Sequence, residues 1–186
     1  MARGRKSEKI GRVTKRDGES MKCMAHTRVI SRANMKDYFK LNDRRIDLLV
    51  KNKYIKEYTA ITKQGVNTYY TLDKNGLEFI RERTDIDILY RGNIHQLEHD
   101  LKLSQAYCQL DPTERQYWLN EGQIIDRWDK LSNGAERITG IDAVVIAPSG
   151  MVAIEVTTRN YGEQEIQEKM DAAATIGCER VVMVNA

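Results

Sequence analysis

The segment from Gly140 to Gly162, GIDAVVIAPSGMVAIEVTTRNYG, constrains the fold more than any other part of this 186-residue chain. Two apolar runs of strand length flank a Pro-Ser-Gly triplet, which is typical of a tight turn between paired strands. Each run carries one acidic residue: Asp142 opens the first run, and Glu155 lies near the end of the second. The segment therefore predicts a buried hairpin that carries one carboxylate on each of two adjacent strands.

The elements predicted around this hairpin give an α-β-β-β-α-β order over residues 93–186. A helix over 93–110, a connector over 111–121 and a short strand over 122–130 precede it. A helix over 163–177, stopped by Gly177, and a last strand over 179–186 follow it. Apolar spacing assigns the inward faces of the two helices to Ile94, Leu97, Leu101 and Cys108 in the first and to Ile166, Met170 and Ala173 in the second.

This order resembles the core of the restriction-endonuclease-like fold. In that superfamily an aspartate opens the second core strand and an E-x-K motif follows in the third, and Asp142 and Glu155 stand at those positions. The resemblance implies that the two carboxylates share a Mg²⁺ ion, which polarises a phosphodiester and activates water. The chain departs from the motif at Thr157, where the lysine that orients the nucleophile is expected.

Several residues are candidates to make up for that departure, or to explain the acidic pair without a metal. Lys169, Gln164 or Arg159 is expected to replace the lysine if the site is active, and Glu98 on the first helix is a candidate third acid. Without a metal, Asp142 caps its strand. Glu155 then needs another partner, with Arg159 as the candidate, because burying an unpaired charge is costly.

A second resemblance covers about 160 residues of the chain. The replication-relaxation family of plasmids and mobile elements joins a winged helix to a degenerate nuclease-like domain, with motifs that read approximately H-x-L, RPDA and ExD. The chain has HDLKLSQAYCQL at 99–110, GIDAVV at 140–145 and EVT at 155–157. It lacks the Arg-Pro before the aspartate and has Thr157 where the family has an aspartate. The resemblance implies DNA binding in plasmid replication, transfer or their control.

Charge divides the chain into two unlike halves. Residues 1–92 hold 22 Lys and Arg against 12 Asp and Glu, a net charge of +10, whereas residues 93–186 hold 8 against 15, a net charge of −7. A basic half is typical of proteins that bind a polyanion. Residues 1–18 are expected to form a disordered basic arm, 19–92 a DNA-binding domain and 93–186 the nuclease-like domain.

The basic half has the element order of a winged helix-turn-helix. Helices are predicted from about residue 21 to 31, over 32–40 with Met35, Tyr38 and Phe39 directed to the core, and over 43–53 with Asn42 or Asp43 as its N-cap. Two strand-like segments follow around KQGVN, and one more helix ends the domain. The third helix is expected to enter the major groove, with the hairpin as a wing. The alternative is a winged helix used for protein docking.

The predicted DNA contacts follow from this geometry. Residues near the positive N-terminus of the third helix reach bases or phosphates, and polar residues at the wing tip hold the adjoining backbone. Cations beside the second helix are weaker candidates for phosphate contacts. The full set is Arg28, Arg32, Arg44, Arg45, Lys51, Lys63, Gln64 and Asn67.

Other patterns exclude several protein classes. No apolar run is long enough to cross a membrane and no secretory signal is present, so we expect a cytoplasmic protein. Three scattered cysteines without a CxxC motif argue against disulfides and zinc knuckles. His95 and His99 are expected to be solvated rather than zinc ligands, because no third ligand lies near them. Trp118 and Trp128 are expected in the core or between domains.

The favoured hypothesis is a DNA-binding protein of a plasmid or phage. Its winged helix binds double-stranded DNA, and its inactive nuclease-like domain, without a cofactor, docks another protein or a second copy of the chain. One alternative is a Mg²⁺-dependent endonuclease that uses Asp142 and Glu155. Another is a transcriptional regulator.

Overall fold

Helices and two β-sheets form a mixed α+β fold, as the sequence predicted, in the computed structural model of the chain. The structure describes residues 8–62, 65–90, 96–137, 139–148, 150–158 and 161–186. None of the helices in these ranges has the length and apolar character needed to cross a bilayer.

The first half contains its helices and hairpin in the predicted order, together with a short strand that was not predicted. Strand β1 pairs with β3, which pairs with β2, and both pairings are antiparallel. The elements are α1 (Lys15–Thr27), β1 (Ile30–Ser31), α2 (Arg32–Asp37), α3 (Asp43–Lys51), β2 (Ile55–Thr62), β3 (Gly65–Leu72) and α4 (Lys74–Arg83).

Helix α1 begins earlier than predicted. Thr14 is its N-cap, and Thr14 and Asp17 form a reciprocal capping box that satisfies the first free backbone amides. The predicted arm of residues 1–18 is therefore wrong from Lys15 onward. Residues 8–14 also contact the rest of the chain, since the backbone N–H of Ile10 donates to Asn52 Oδ1 at 3.2 Å.

Helix α3 begins where the sequence predicted it. The side chain of Asn42 accepts a hydrogen bond from the backbone N–H of Arg45 at 2.9 Å, which fixes the first turn. Ile46 and Leu49 are buried beneath it. The predicted inward position of Tyr38 is wrong, because α2 ends at Asp37 and the Tyr38 ring lies at the surface.

The second half forms a four-stranded sheet of order β4-β5-β6-β7. Strand β5 is antiparallel to both β4 and β6, and β7 is parallel to β6. The elements are α5 (Leu97–Gln109), a 3₁₀ turn (Arg115–Tyr117), β4 (Trp118–Asn120), α6 (Glu121–Asp126), α7 (Trp128–Leu131), β5 (Ala143–Ala147), β6 (Gly150–Thr157), α8 (Glu163–Thr175) and β7 (Arg180–Asn185).

The first strand of this sheet lies in the segment predicted as a connector. β4 occupies residues 118–120, and the predicted strand over 122–130 is helical instead. The reason is a capping box between Asn120 and Gln123, which starts α6 immediately after the strand. The predicted α-β-β-β-α-β order of main elements therefore holds, with a shifted strand and two added short helices.

The inward face of α5 also differs from the prediction. Leu97 and Leu101 are only partly buried, whereas His99, Asp100, Leu103 and Tyr107 are buried. Cys108 is buried as predicted, and Ile94 lies outside the described residues. The prediction is therefore wrong for Leu97 and Leu101, because partners from other elements compensate two polar residues on the buried face. Met170 on α8 is likewise exposed rather than inward.

One hydrophobic core joins the two halves. It includes Met21, Ile46 and Tyr70 from the first half together with Tyr107 and Trp118 from the second. A smaller core lies within the second half around Ile124, Trp128 and Ala172. Both tryptophans are therefore core residues, and the cysteines, none of which is disulfide-bonded, are buried or partly buried.

Candidate functional site

Asp142 and Glu155 lie side by side, as the hairpin predicted. Strands β5 and β6 pair with Ala143 opposite Ile154, which places the two acids at neighbouring positions. The backbone N–H of Asp142 donates to Glu155 Oε1 at 3.2 Å, and that of Val156 donates to Asp142 Oδ2 at 2.8 Å. The exposed fractions are 7% for Asp142 and 0% for Glu155. Both carboxylates are thus built into the protein interior.

The cation that faces Glu155 is Lys169 of α8. Its Nζ atom lies 3.0 Å from Glu155 Oε2 and donates to the backbone oxygen of Gly140 at 2.7 Å. Lys169 was one of the predicted replacements for the missing lysine. Arg159, the other proposed partner, lies outside the described residues. Thr157 itself donates to Asn185 Oδ1 on β7 at 2.9 Å.

Asp142 has its own cationic partner, His99. The imidazole Nε2 lies 3.0 Å from Asp142 Oδ2, and Nδ1 lies 3.1 Å from Asp100 Oδ1. The prediction that His99 is solvated was wrong, because both ring nitrogens are engaged by buried carboxylates. His95 lies outside the described residues.

The contacts continue into the first half through Asp100. Its carboxylate forms an ion pair with Arg28, and the hydroxyl of Tyr90 donates to it at 3.3 Å. Arg28 therefore stabilises the junction between the halves. We call the connected residues the charge network; its members are Arg28, Asp100, His99, Asp142, Glu155 and Lys169.

Burial and the charges of neighbouring side chains determine the pKa values in the charge network. Burial, together with the neighbouring charge of Asp142, raises the pKa of Glu155 to about 8. Burial opposes the charging of His99, but hydrogen bonds to Asp100 and Asp142 outweigh it and raise its pKa to about 10. Burial would also raise the pKa of Asp142, yet the hydrogen bond to His99 lowers it below its ordinary value.

The charge network does not fit a Mg²⁺ ion as it is arranged. Two adjacent carboxylates are suitable oxygen donors, but Mg²⁺ needs an octahedral set with several waters. Here the carboxylates are enclosed and already paired with an amine and an imidazole. Within the described ranges, no group of three or more His, Cys, Asp or Glu side chains is placed to hold a metal ion, so the predicted set with Glu98 is not assembled.

Sequence reasoning missed Glu121 at the start of α6. Its carboxylate lies against Gly140, where a Cβ atom would approach Oε1 to 2.6 Å, so no larger residue fits at position 140 without a shift. Burial and the charge of Asp142 raise the pKa of Glu121. The first helical position of α6, rather than a motif, places this acid beside the charge network.

Some of the predicted DNA-contact residues of the first half are already paired with acidic side chains. Arg45 forms an ion pair with buried Asp17, with its Nε donating to Oδ1 at 2.9 Å. Arg32 pairs with Asp43 and with Asp47, at 3.0 Å and 2.7 Å respectively. The opposing carboxylates already compensate both arginines.

The remaining predicted contacts are more exposed. Lys51 is exposed and pairs with Glu8 at 2.7 Å, and the Asn67 side chain donates to the backbone oxygen of Gly65 at 3.3 Å. Arg44 is exposed, and no ion pair or hydrogen bond of its side chain occurs within the described part of the chain. Lys63 and Gln64 lie outside the described residues.

A group of cations surrounds the N-terminus of α3. Arg16 Nη1 donates to the backbone oxygen of Lys40 at 3.1 Å, and Arg45 Nη2 donates to that of Arg12 at 2.9 Å. These hydrogen bonds bring the start of α1 and the α2–α3 turn together beside Arg44. We call Arg12, Arg16, Lys40 and Arg44 the basic patch; all four are exposed.

Comparisons with known proteins found no match to this chain among protein families, curated proteins or solved structures.

Proposed function

We propose that this protein binds double-stranded DNA through its first half and acts in the replication, transfer or regulation of a mobile element. The first half has three helices followed by a hairpin, and its strands lie in the antiparallel order β1-β3-β2. These features support a winged helix in which α3 approaches the major groove and β2–β3 is the wing.

The basic patch is the observation that carries this proposal. Arg12, Arg16, Lys40 and Arg44 form no ion pair with an acidic side chain in the described part of the chain, whereas Arg28, Arg32, Arg45 and Lys51 are paired with carboxylates. Unpaired surface cations release counterions when they meet phosphates, and this release drives DNA binding. The proposed contacts are therefore centred on Arg44 and Lys40, with Arg45 as a support beneath them.

The second half is proposed to be a degenerate nuclease-like domain. Its sheet order and the positions of Asp142 and Glu155 at a strand start and in the next strand support that fold. His99, Asp142 and Glu155 come from the three segments that resemble replication-relaxation motifs, and they lie together. Their mutual pairing supports kinship with that family and a structural role, with docking or dimerisation through the acidic surface.

The test is DNA binding by single variants of the basic patch. Arg44→Ala and Lys40→Ala are each expected to weaken binding to a labelled duplex. Each should also reduce the slope of log Kobs against log salt concentration by about 1, as loss of one phosphate contact does. Arg81→Ala, an exposed cation on α4, is the matched control. Unchanged affinity and slope in both patch variants would remove the patch from the mechanism.

Arg45→Ala is unsuitable for this test. It leaves Asp17, whose side chain is fully buried, without its guanidinium partner. Such a change destabilises the fold, because an uncompensated buried charge remains. A loss of DNA binding in that variant would therefore report unfolding as well as a lost contact.

The position of Lys169 favours a second candidate function, a Mg²⁺-dependent endonuclease. Lys169 lies where an amine is needed beside Glu155, although the charge network would have to open to admit an ion. Plasmid cleavage in Mg²⁺ or Mn²⁺, with Asp142→Ala and Glu155→Ala as controls, separates the two candidates. Cleavage that both variants abolish would establish the endonuclease; intact plasmid, with DNA still bound, supports the degenerate domain.

A further inference from the structure

A cleft of about 660 Å³ opens between the two halves, away from the charge network. α1 and the end of α2 contribute residues from the first half, and α5, the 3₁₀ turn and α6 contribute from the second. This volume lies in the range of small-molecule sites, which are typically concave and largely apolar with a few polar groups. No prediction from the sequence pointed to it.

Aromatic rings line much of the cleft. His26 stacks on Tyr107 with ring centroids 5.6 Å apart, and Tyr107 meets Trp118 edge to face at 5.1 Å. The Arg115 guanidinium lies over the Phe39 ring at 5.1 Å from its centroid. Aromatic side chains in the wall of a cleft offer apolar contacts to a planar heteroaromatic ring.

Three buried polar atoms in these same residues have no partner. His26 Nδ1, Arg115 Nε and Trp118 Nε1 form no hydrogen bond within the described part of the chain. The exposed fractions of the three residues are 5%, 7% and 2%, so solvent does not readily satisfy them. Buried donors are nearly always paired, and an unpaired one costs free energy. Three such atoms in residues that line one cleft indicate a ligand that supplies hydrogen-bond partners, with acceptors for Arg115 and Trp118 and either an acceptor or a donor for His26.

The charge of the cleft is positive. Its cationic side chains are Lys15, Arg16, Lys22, Lys40, Arg115 and Arg127, and its acidic ones are Glu19 and Asp85. Glu19 is already paired with Lys22 at 3.2 Å. Burial lowers the pKa of His26 to about 4, so its imidazole is neutral at physiological pH and offers either a donor or an acceptor. The surplus of cations indicates an anionic ligand.

We propose that this cleft binds a nucleotide, with its base against His26, Tyr107 and Trp118 and its phosphate toward the surrounding cations. Arg115 and Trp118 can only donate hydrogen bonds, which suits the ring nitrogens, carbonyl oxygens and phosphate oxygens of a nucleotide. The bound nucleotide is either a free nucleoside phosphate or one nucleotide of a single-stranded nucleic acid. The proposal does not rest on duplex binding, although Arg16 and Lys40 belong both to the basic patch and to the lining of the cleft.

Calorimetric titration of the full chain with ATP and with dTTP tests the proposal. At least one nucleotide is expected to bind, whereas adenosine, thymidine and inorganic pyrophosphate, which each lack one half of the ligand, bind at least about tenfold more weakly. Trp118→Phe keeps an aromatic side chain but removes the indole N–H donor, and it is expected to weaken binding by about tenfold. Trp128→Phe, outside the cleft, is the matched control and should bind as the original chain does.

A single-stranded oligothymidylate distinguishes the two sources. If it binds more tightly than dTTP and Trp118→Phe weakens it, the cleft takes a nucleotide of a strand; if only free nucleotides bind, the ligand is a free nucleoside phosphate. Absence of binding by every nucleotide and by the oligonucleotide at 1 mM, or equal binding by the two tryptophan variants, would overturn the proposal. Duplex affinity, measured in parallel, should be unchanged in Trp118→Phe, so failure here is separable from failure of the DNA-binding proposal.

Discussion

The charge network and the cleft both contain buried polar side chains, but they differ in how those side chains are paired. In the network Glu155 Oε2 and Arg28 Nη2 form no hydrogen bond, but each lies in an ion pair, with Lys169 and Asp100 respectively, as His99 does with Asp142. In the cleft, polar atoms of His26, Arg115 and Trp118 have no partner among the described residues. Because buried polar groups need partners, the first arrangement stabilises a fold and the second is suited to a ligand.

A sequence motif does not show by itself which side chains are free to bind a ligand. Asp142 and Glu155 are the residues that a sequence motif marks as catalytic, yet ion pairs with His99 and Lys169 already engage them. Trp118 and Arg115 belong to no motif, yet they have unused hydrogen-bond capacity. The state of each group in the folded chain, rather than its resemblance to a motif, determines what it can bind.

The largest expected effect is on the charge network. Lys169→Met should lower the free energy of unfolding by about 3 kcal/mol at pH 8, because it leaves the buried Glu155 carboxylate without its amine partner. Urea unfolding measures this. The double variant Glu155→Gln with Lys169→Met should recover most of the loss. An equal loss in the double variant would mean that the packing of the lysine stem, rather than its charge, is responsible.

A smaller effect concerns the pH dependence of stability. The pKa of Glu155 is about 8 in the folded chain and near 4.5 when unfolded, so between these values the folded state holds a proton that the unfolded state has released. Stability therefore falls as pH rises from about 5 to 8. Glu155→Gln should remove about 2 kcal/mol of that fall. Parallel unfolding curves at pH 5 and pH 8 test this, and an unchanged fall in the variant would contradict the raised pKa.

His99 contributes to the pH dependence of stability at higher pH than Glu155 does. Its pKa is about 10 in the folded chain and near 6.5 when unfolded, so its contribution is complete below pH 6.5 and is lost as pH rises toward 10. In Glu155→Gln, where the titration of Glu155 is absent, the change in the free energy of unfolding between pH 8 and pH 10 isolates this part. A flat curve above pH 8 would mean that His99 is neutral in the folded protein.

The smallest expected effect is a difference in stability between variants of the two tryptophans. Trp128 Nε1 donates to the backbone oxygen of Ala135 at 2.7 Å, whereas Trp118 Nε1 has no partner in the described ranges. Trp128→Phe should therefore cost about 1 kcal/mol more than Trp118→Phe, which removes an unsatisfied donor. Thermal unfolding of the two variants measures the difference. A larger loss for Trp118→Phe would mean that its donor is already satisfied and would weaken the case for the cleft.

Much of the secondary structure could be predicted because its signals are local. Asn42 caps α3, and Gly177, with a φ of +83°, follows the end of α8 as expected. The errors have local causes too: the capping boxes at Thr14 and at Asn120 begin helices where charge or apolar content suggested an arm and a strand. Both boxes are readable from the sequence, as T-x-x-D and N-x-x-Q.

The sequence by itself determined the order of the elements, the charge asymmetry and the adjacency of Asp142 and Glu155, because these depend on residues close together in the chain. Only the tertiary structure decided that Lys169 and His99 compensate those acids, that Arg45 turns inward to Asp17, and that residues from 15 to 127 surround one cleft. The physical reason is that such partners are selected by packing between distant segments, where a buried polar group is stable only if another element supplies its complement.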